Sequence, residues 1–397
     1  MRYVFRDNYK SLDYVATWFY LGAQYIRQTQ AKCAFVSTNS LCQGEQVALI
    51  WKRVLVENVE IAFAHKSFKW VNNAKYNAGV SVIVVGLRCK CSDLKKLYSG
   101  DSYEICDNIS PYLIKSTTVY IESSSKPISS FPAMNFGNMP ADGGVLLFTT
   151  EEKNDICAQD HIVKKYIRPL ICAEEMINGK ERWCLWLYNE DKDEYGQSPF
   201  IVNAIARLRE IRLKSSRPQL ANIPHLFAQI TQPMDCNYIV VPRHTSENRY
   251  YIPIDYKQDK SIAHDSCLVV GTNEVLLFGV LMSRMHMVWL RMIGGKLKTD
   301  YRYSSFVYNT FPFPKINDEQ KERLSALAEN ILLTRENHTE MTLGEMYNPE
   351  SMPQDLKYAH QAMDIAVEQC YRPEPFTSDE ERLEYLFKLY EKMTKKK

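Results

Sequence analysis

Many side chains that could contact a nucleic acid lie close together in residues 283–304. Basic groups outnumber carboxylates five to one here, although the formal net charge of the whole chain is only +2. Flat rings accompany the cations, and the pair Gly294-Gly295 predicts a turn within the stretch. The residues concerned are Arg284, His286, Trp289, Arg291, Lys296, Lys298, Asp300, Tyr301, Arg302 and Tyr303. This mixture favours contact with phosphates and base edges.

The same stretch also has a purely structural interpretation. Residues 275–293 are rich in Met, Trp and Leu, and such a helix commonly packs into a core and leaves its cations on the exposed face. Arg284 and Arg291 are seven residues apart and therefore share one face of the helix, which favours a common role. The sequence leaves both interpretations of this helix open.

The segment after Gly294-Gly295 is predicted to be extended, so that alternate side chains point the same way. The predicted row is Lys296, Lys298, Asp300 and Arg302. A lysine can donate to O6 and N7 of guanine, and an aspartate can accept from N4 of the paired cytosine. We therefore predict that Lys298, Asp300 and Lys296 read bases, with Tyr301 and Tyr303 on the opposite side.

A second loop, residues 241–254, repeats the combination of cations and hydrogen-bonding side chains. A polar hairpin loop without function explains this loop equally well when it is taken alone. Two such segments in one region favour nucleic acid. The residues predicted to contact DNA are Arg243, Ser246, Glu247, Arg249, Arg284, His286, Arg291, Arg302 and Tyr303.

The composition is that of an ordinary globular protein. The chain has 397 residues, of which 45% are hydrophobic and 24% charged, and this length predicts two or three domains. The longest apolar runs are too short to span a bilayer, and the charged N-terminus lacks the apolar segment of a signal peptide. We interpret the eleven scattered cysteines as reduced thiols of a cytoplasmic protein, and we predict no metal site.

The predicted fold class is α/β and α+β. Apolar strands alternate with amphipathic helices over residues 1–92, which predicts a mostly parallel sheet with helices on both faces. A cofactor site on such a sheet needs a glycine-rich turn after an early strand, and the sequence has none. Residues 93–312 are predicted to be mixed α/β. Residues 313–397 are predicted to be helical after the stiff segment FPFPK.

Many long segments of the chain occur in the same order in one known family. They are LDYVATWFYLGAQYI, AFVSTNSLCQGEQV, IAFAHKSFKWVNNAKYNAGVSVIVVGL, NISPYL, FGNMPADGG, VKKYIRPLICAEEMINGKERWCLWL, VPRHTSENRYYIPI, SRMHMVWLRMIGGKLKTDYRYSSFVYNTFPFP and MPQDLKYAHQAMDIAVEQCY. Through them the sequence resembles the MmeI-like family of bacterial restriction–modification proteins over nearly its whole length. Members of that family join a nuclease, an adenine-N6 DNA methyltransferase of class I and a target-recognition domain.

The resemblance implies a partial Rossmann-like methyltransferase sheet at 1–92, a DNA target-recognition domain at 93–312 and a C-terminal helical bundle at 313–397. In the family, the cofactor-binding glycine loop and the catalytic Asn-Pro-Pro-aromatic motif lie upstream of the LDYV helix, and this sequence contains neither. The resemblance therefore implies S-adenosylmethionine for the complete enzyme but none bound by this chain alone. It also implies double-stranded DNA and an upstream methyltransferase half, with the nuclease, as partners.

Three functions are compatible with the sequence. We favour sequence-specific recognition of double-stranded DNA, with Lys298 and Asp300 at the positions where the family reads one base pair; the catalytic half is another chain or has been lost by truncation. The second function is an independent methyltransferase with a degenerate site. Its candidate residues are Ser37, Asn39, Glu45 and His65. The third is an inactive remnant that binds protein and not DNA.

Overall fold

Helices and short strands alternate along the chain, and a computed structural model describes residues 1–29, 31–70, 80–297 and 299–395. The helices are α1 (Arg2–Phe5), α2 (Ala16–Thr29), α3 (Gln46–Val54), α4 (Thr150–Gln159), α5 (Ala173–Asn178), α6 (Lys192–Tyr195), α7 (Pro199–Leu213), α8 (Val275–Leu281), α9 (Arg284–Ile293), α10 (Ser305–Thr310), α11 (Asp318–Glu336), α12 (Leu343–Met346), α13 (Gln354–Tyr371) and α14 (Asp379–Thr394). The strands are β1 (Cys33–Thr38), β2 (Val59–Lys69), β3 (Ser81–Cys89), β4 (Lys95–Ser99), β5 (Ser102–Cys106), β6 (Asn135–Phe136), β7 (Leu147–Phe148), β8 (Ile167–Ile171), β9 (Trp183–Leu185), β10 (Tyr238–Pro242), β11 (His244–Thr245), β12 (Asp255–Lys257), β13 (Ile262–Ala263), β14 (Cys267–Gly271), β15 (Gly295–Leu297) and β16 (Asp300–Arg302).

The chain forms two compact units, and neither unit is one continuous segment of sequence. The first unit contains Met1–Phe131, Met285–Pro314 and Glu374–Lys397. The second unit contains Pro132–Arg284 and Lys315–Pro373. Each unit has its own buried apolar residues.

The first unit is built on a five-stranded sheet with the order β1-β3-β2-β4-β5. β3 is antiparallel to both β1 and β2, and β5 is antiparallel to β4. The pair of β2 and β4 is the one parallel pair in the described part of this sheet. The prediction of a mostly parallel sheet is therefore wrong. The connection from β2 to β3 has too few residues for the helical crossover that parallel neighbours need, so β3 returns antiparallel.

Two helices cover one face of this sheet. Phe19 of α2 packs its ring against Phe35 of β1 and Trp51 of α3, at centroid distances of 5.0 Å and 5.5 Å. α2 and α3 therefore lie on the same side of β1. The exposed residues of β1 on the other side are Ala34, Val36 and Thr38. The prediction of helices on both faces is wrong for β1 as described, because both helices that flank it in sequence pack on one side.

Helix α9 lies in the core of the first unit. The indole Nε1 of Trp289 donates to the carbonyl of Val307 at 3.2 Å. Its ring packs against Phe311 and against Phe387 of α14, with centroids 6.2 Å and 5.8 Å apart. The apolar side of α14 is buried at Leu383, Leu386, Phe387 and Tyr390. The last helix of the chain therefore stabilises α9 and the segment that follows it.

The second unit contains two four-stranded sheets. One has the order β12-β10-β14-β6, with antiparallel neighbours throughout, and the other has the order β13-β8-β9-β7. β10 is fully buried because both its neighbours pair with it and its side chains are apolar on both faces. It ends at Pro242, at the beginning of the basic loop of residues 241–254.

A buried arginine holds the loops of the second unit. Arg212 of α7 is 1% exposed. Its guanidinium donates to five backbone carbonyls at distances between 2.8 Å and 3.4 Å. The acceptors belong to Pro140, Ala141, Leu220, Ile223 and Leu226. One side chain therefore fixes two separate segments, at 140–141 and 220–226, because a guanidinium has five N–H donors.

No single helix among the described residues is long and apolar enough to cross a membrane. The consecutive helices α8 and α9 reach the required length and composition only when taken together. All eleven cysteines are free thiols. Burial raises the pKa of the Cys42, Cys184 and Cys267 thiols, which makes them poor nucleophiles.

Candidate nucleic-acid interface

A turn at Gly294 connects helix α9 to the β-hairpin formed by β15 and β16. The amide of Gly294 donates to Leu290 O at 2.8 Å at the end of α9. A Cβ at this position would lie 2.4 Å from the same carbonyl oxygen, so glycine is required. β15 and β16 then pair antiparallel, with Lys296 opposite Tyr301 and Leu297 opposite Asp300. The predicted turn is present, but the segment predicted to be one extended stretch forms two antiparallel strands.

The single row predicted for this segment is wrong for Lys296. Directly opposed residues of an antiparallel pair lie on the same face, so Lys296 shares a face with Tyr301. Its ammonium lies 4.9 Å from the centroid of the Tyr301 ring. Asp300 and Arg302 are exposed on the other face, and Tyr301 between them is buried. The prediction assumed one continuous strand, in which Lys296, Asp300 and Arg302 would share a face. In the hairpin, even-numbered residues of β15 lie opposite odd-numbered residues of β16, so Lys296 lies on the face opposite to Asp300 and Arg302.

The base-reading prediction for Lys298 concerns a residue outside the described part of the chain. Thr299 and Asp300, which follow Lys298 in the sequence, are described. Asp300 is exposed, as a residue that reads bases must be. The roles of Lys298 and Asp300 in base reading stay predictions.

Two residues predicted to contact DNA are buried. His286 is completely buried and Tyr303 is 1% exposed, and the ring nitrogen Nε2 of His286 is hydrogen-bonded to the Tyr303 hydroxyl at 2.8 Å. The His286 ring also packs edge-on against Phe311 at 4.6 Å. Burial lowers the pKa of His286 to about 3, so the imidazole is neutral at physiological pH. The prediction of DNA contact is wrong for both, because the core uses these side chains to join α9 to the hairpin end.

The structural interpretation of α9 is correct for most of the helix. Its buried residues are Met285, His286, Met287, Val288, Trp289, Leu290 and Ile293. Arg284 is exposed at the first position, and Arg291 is half-buried with its Nη1 3.8 Å from the Asp379 carboxylate. The helix therefore presents cations at its beginning and in its last turn, and the apolar residues between them support the fold.

The basic loop after β10 is held by its own polar groups. The Arg243 guanidinium donates to Asp265 O at 3.1 Å and lies 5.0 Å from the Phe136 ring centroid. Arg249 donates through Nη1 to the Thr245 hydroxyl at 3.4 Å, and its amide donates to the carbonyl of Ser246 at 3.3 Å. Arg243, Ser246, Glu247 and Arg249 are all half-buried. Part of the surface of each of these residues therefore stays accessible.

The candidate residues of the enzyme hypothesis do not form a catalytic set in the described structure. Ser37 is 7% exposed and donates to the neighbouring carbonyl of Thr38 at 3.1 Å. Asn39 donates to the Ser67 hydroxyl at 3.1 Å, and the carboxylate of Glu45 accepts from Ser123 at 3.2 Å. The imidazole of His65 stacks on the Tyr98 ring at 4.4 Å and 8°. These contacts are structural, and no nucleophile is hydrogen-bonded to a base.

One feature that sequence reasoning missed lies where β1 and β2 end. Both strands are antiparallel to β3, so their carboxyl ends lie at one edge of the sheet, and Asn39 and Ser67 are bonded across it. Phe68 and Trp70 are 38% and 42% exposed beside them. Ligands of α/β sheets bind outside this edge, and aromatic side chains there can stack on a base. The exposed aromatic pair in SFKW at a strand end was the available signal.

No group of three or more His, Cys, Asp or Glu side chains in the described ranges could hold a metal ion. The first unit carries the sheet β1–β5 and the β15–β16 hairpin, and the second unit carries the basic loop. These features, with the exposed Asp300 and Arg302, are those expected of a DNA-modifying protein with a target-recognition domain.

The family models agree with that class and make it specific. Residues 1–99 match the model "MmeI, DNA-methyltransferase domain", residues 115–315 match "MmeI, target recognition domain", and residues 316–396 match "MmeI, C-terminal domain". The chain belongs to the MmeI family of restriction–modification methyltransferases.

Two relatives show the extent of the similarity. The chain is 43% identical over 395 residues to DNA methyltransferase A of Bacillus subtilis (strain 168), and the match covers 98% of this chain and 45% of that protein. The structure of the type IIL restriction-modification enzyme MmeI in complex with DNA superposes with a TM-score of 0.91 at 38% identity. That match covers 99% of this chain and 54% of the MmeI chain. The chain therefore spans about half the length of these relatives.

Proposed function

We propose that this chain recognises a specific sequence in double-stranded DNA and directs adenine-N6 methylation by the catalytic half of a methyltransferase. The observation that carries the proposal is the β15–β16 hairpin, which exposes Asp300 and Arg302 within the segment that matches the target-recognition model. A restriction–modification relative of the same fold is described in complex with DNA, which supports DNA as the ligand. The proposed place of action is the cytoplasm, where bacterial DNA lies.

In this proposal, the hairpin reads bases and the arginines position the duplex. Lys298 and Asp300 read one G·C pair, and each good base contact contributes about 1–3 kcal/mol of discrimination. The arginines that bind phosphate add affinity for every sequence and make binding depend on salt. They are Arg284, Arg291 and Arg302. The loop that carries Arg243, Ser246, Glu247 and Arg249 is proposed to enter a groove and contact base edges, so that its conformation affects sequence preference. Lys296 is assigned to support Tyr301 and not to read bases, since it shares the face of that ring.

The proposed partner is the other half of a methyltransferase sheet. α2 exposes apolar side chains at helical spacing, and the exposed fractions of Trp18 and Tyr25 are 51% and 60%. The exposed apolar residues of this helix are Trp18, Leu21 and Tyr25, and Tyr14 lies just before it. On the other side of β1, Val36 is 51% exposed. Exposed apolar groups of this kind mark protein contact sites, and a strand at a sheet edge can accept another strand.

The cofactor belongs to that partner half in this proposal. S-adenosylmethionine sites on such sheets use a glycine-rich turn after an early strand. The segment that follows β1 is Asn39–Cys42, a 3-10 turn without glycine. The residues of this chain do not by themselves fit the cofactor, so we assign no step of methyl transfer to them.

The decisive experiment is selection of bound duplexes from a random DNA pool by the purified full chain. The expected result is an enriched motif with a fixed G·C pair that is relaxed in Lys298→Ala and in Asp300→Ala. Arg302→Ala serves as the matched control, because loss of a phosphate contact should weaken binding without changing the motif. An unchanged motif in both hairpin variants would refute base reading by Lys298 and Asp300.

Two further measurements separate this proposal from the other functions. Methyl transfer from labelled S-adenosylmethionine by the chain alone would support the independent enzyme, whereas activity only after addition of a catalytic half supports the proposal. A protein-binding remnant would bind DNA weakly or not at all. DNA affinity that falls steeply with salt therefore favours the proposed function, since released counterions make phosphate contacts salt-dependent.

A further inference from the structure

A buried carboxylate joins helix α13 to the segments that carry the basic loop and the start of α9. Asp364 is 9% exposed, and its two oxygens have different partners. Oδ2 accepts from the Tyr251 hydroxyl at 2.7 Å, and Oδ1 accepts from the backbone amide of Arg284 at 2.6 Å. Tyr251 lies two residues after Arg249 of the basic loop, and Arg284 is the first residue of α9. One side chain of the C-terminal helices therefore holds two segments of the recognition part.

A second set of contacts fixes the same end of the loop. The ring of Tyr251 stacks on His360, also in α13, with centroids 4.2 Å apart and planes 20° apart. Nε2 of His360 is hydrogen-bonded to the Tyr347 hydroxyl at 2.7 Å, and Arg335 donates to that hydroxyl at 2.8 Å. Arg335 also donates to the carbonyl of Ile254 at 2.9 Å. The end of the loop is thus attached to α11 and α13 at both Tyr251 and Ile254.

Burying an ionisable group here has an energetic cost, because the group loses its hydration. A carboxylate has two oxygens with fixed geometry, however, and can hold two donors from different segments at once. The amide of Arg284 is one of the helix N–H groups that lack a partner within the helix, so Asp364 also satisfies the first turn of α9.

We propose that Asp364 is a positioning residue for target recognition. It touches no DNA; it acts through Tyr251 and Arg284, so that the C-terminal helices set the conformation of the loop that carries Arg243 and Arg249. This inference rests on the proposed role of that loop in DNA binding. Its consequence is that the C-terminal helices contribute to sequence preference and not only to the stability of the fold.

The test compares three variants of the full chain with the wild type. Asp364→Ala removes both bonds, Tyr251→Phe removes one hydroxyl and keeps the stack on His360, and Asp364→Asn keeps the shape and can still accept from Arg284 and donate to Tyr251. The control is Asp355→Ala, a surface carboxylate of the same helix that bonds His338. Affinities are measured for the selected duplex and for an unrelated duplex at one salt concentration. Amide hydrogen exchange is measured for residues 245–251.

The expected result is a loss of preference and not of general binding. Asp364→Ala should bind the selected duplex about tenfold more weakly while its affinity for the unrelated duplex changes less than about twofold. Tyr251→Phe should show a smaller loss of the same kind, Asp364→Asn should restore most of the preference, and Asp355→Ala should equal the wild type. Exchange at residues 245–251 should be faster in Asp364→Ala and in Tyr251→Phe.

Each other outcome is decisive. A wild-type chain without preference refutes the proposed function, and the inference falls with it. A selective wild type whose preference is unchanged in Asp364→Ala refutes the inference alone. If Asp364→Ala does not fold, Tyr251→Phe decides, and an unchanged preference together with unchanged exchange in that variant overturns the positioning role.

Discussion

The buried carboxyl of Asp364 should make the stability of the second unit fall as pH rises. Burial raises the pKa of Asp364 from 3.8 to about 7. The carboxylate of Glu368 adds to this rise, whereas the bonds from the Arg284 amide and the Tyr251 hydroxyl oppose it. The folded state therefore holds the proton more tightly than the unfolded chain does. The stability that this proton contributes is complete below about pH 4 and is lost as pH rises through about 7.

The perturbation that isolates this effect is Asp364→Asn, which has the same shape and does not titrate. A shift of about three pKa units corresponds to about 4 kcal/mol between the two protonation states. Between about pH 5 and pH 8, the wild type should lose about 2.5 kcal/mol of unfolding free energy through this group. The remainder is lost below pH 5, because the carboxyl of the unfolded chain is already largely ionised at pH 5. The variant should thus gain that much stability relative to the wild type across this range.

Urea unfolding at a series of pH values measures the difference between the two proteins. Other titrating groups cancel in this difference, since both proteins contain them. The control is Glu329→Gln, which removes an exposed carboxylate of α11 in the same unit. A difference between Asp364→Asn and the wild type that does not change with pH would refute the reasoning that this carboxyl is buried with a raised pKa.

Three further predictions follow from single contacts. Arg302→Ala should weaken binding to all duplexes alike and reduce the slope of log affinity against log salt by about one, as measured by titrations at several salt concentrations. Arg212→Ala should destabilise the second unit by about 3 kcal/mol in urea unfolding, because it removes five hydrogen bonds and takes from the Ala141 and Leu226 carbonyls the one donor that the described residues give them. The exposed Arg209→Ala of the same helix should change the stability by less than about 0.5 kcal/mol. Gly86→Ala should lower the melting temperature of the first unit, because the new Cβ would lie 2.1 Å from the Phe63 ring. Adding Phe63→Ala should relieve that clash in the double variant. A Gly86→Ala variant as stable as the wild type would contradict this packing.

Local sequence patterns are sufficient to explain part of the secondary structure. The apolar positions Phe19, Ala23 and Ile26 are fully buried on α2, as their spacing predicts. Asn317 and Gln320 form the capping box that begins α11, and the Ser378 hydroxyl accepts from the amide of Glu381 at the start of α14. These features are determined within a few residues, so a local pattern carries enough information.

The direction of strands and the exposure of side chains needed more than local patterns. Strand β3 pairs antiparallel between β1 and β2 because of the length of its connection, which apolar composition does not report. Lys296 lies on the face of Tyr301 because the hairpin register pairs even with odd positions. His286 is buried because Tyr303 and Phe311 come back against α9 from further along the chain.

The sequence by itself determined the family, the order of its parts, the glycine turn after α9 and the concentration of cations and rings around residues 283–304. These depend on residue types and on spacings along the chain. Only the tertiary structure decided which of those side chains are accessible, and it alone revealed that Asp364 holds Tyr251 and Arg284. The physical reason is that burial and hydrogen bonding join residues distant in sequence, here 113 and 80 positions apart, whose pairing no local pattern encodes.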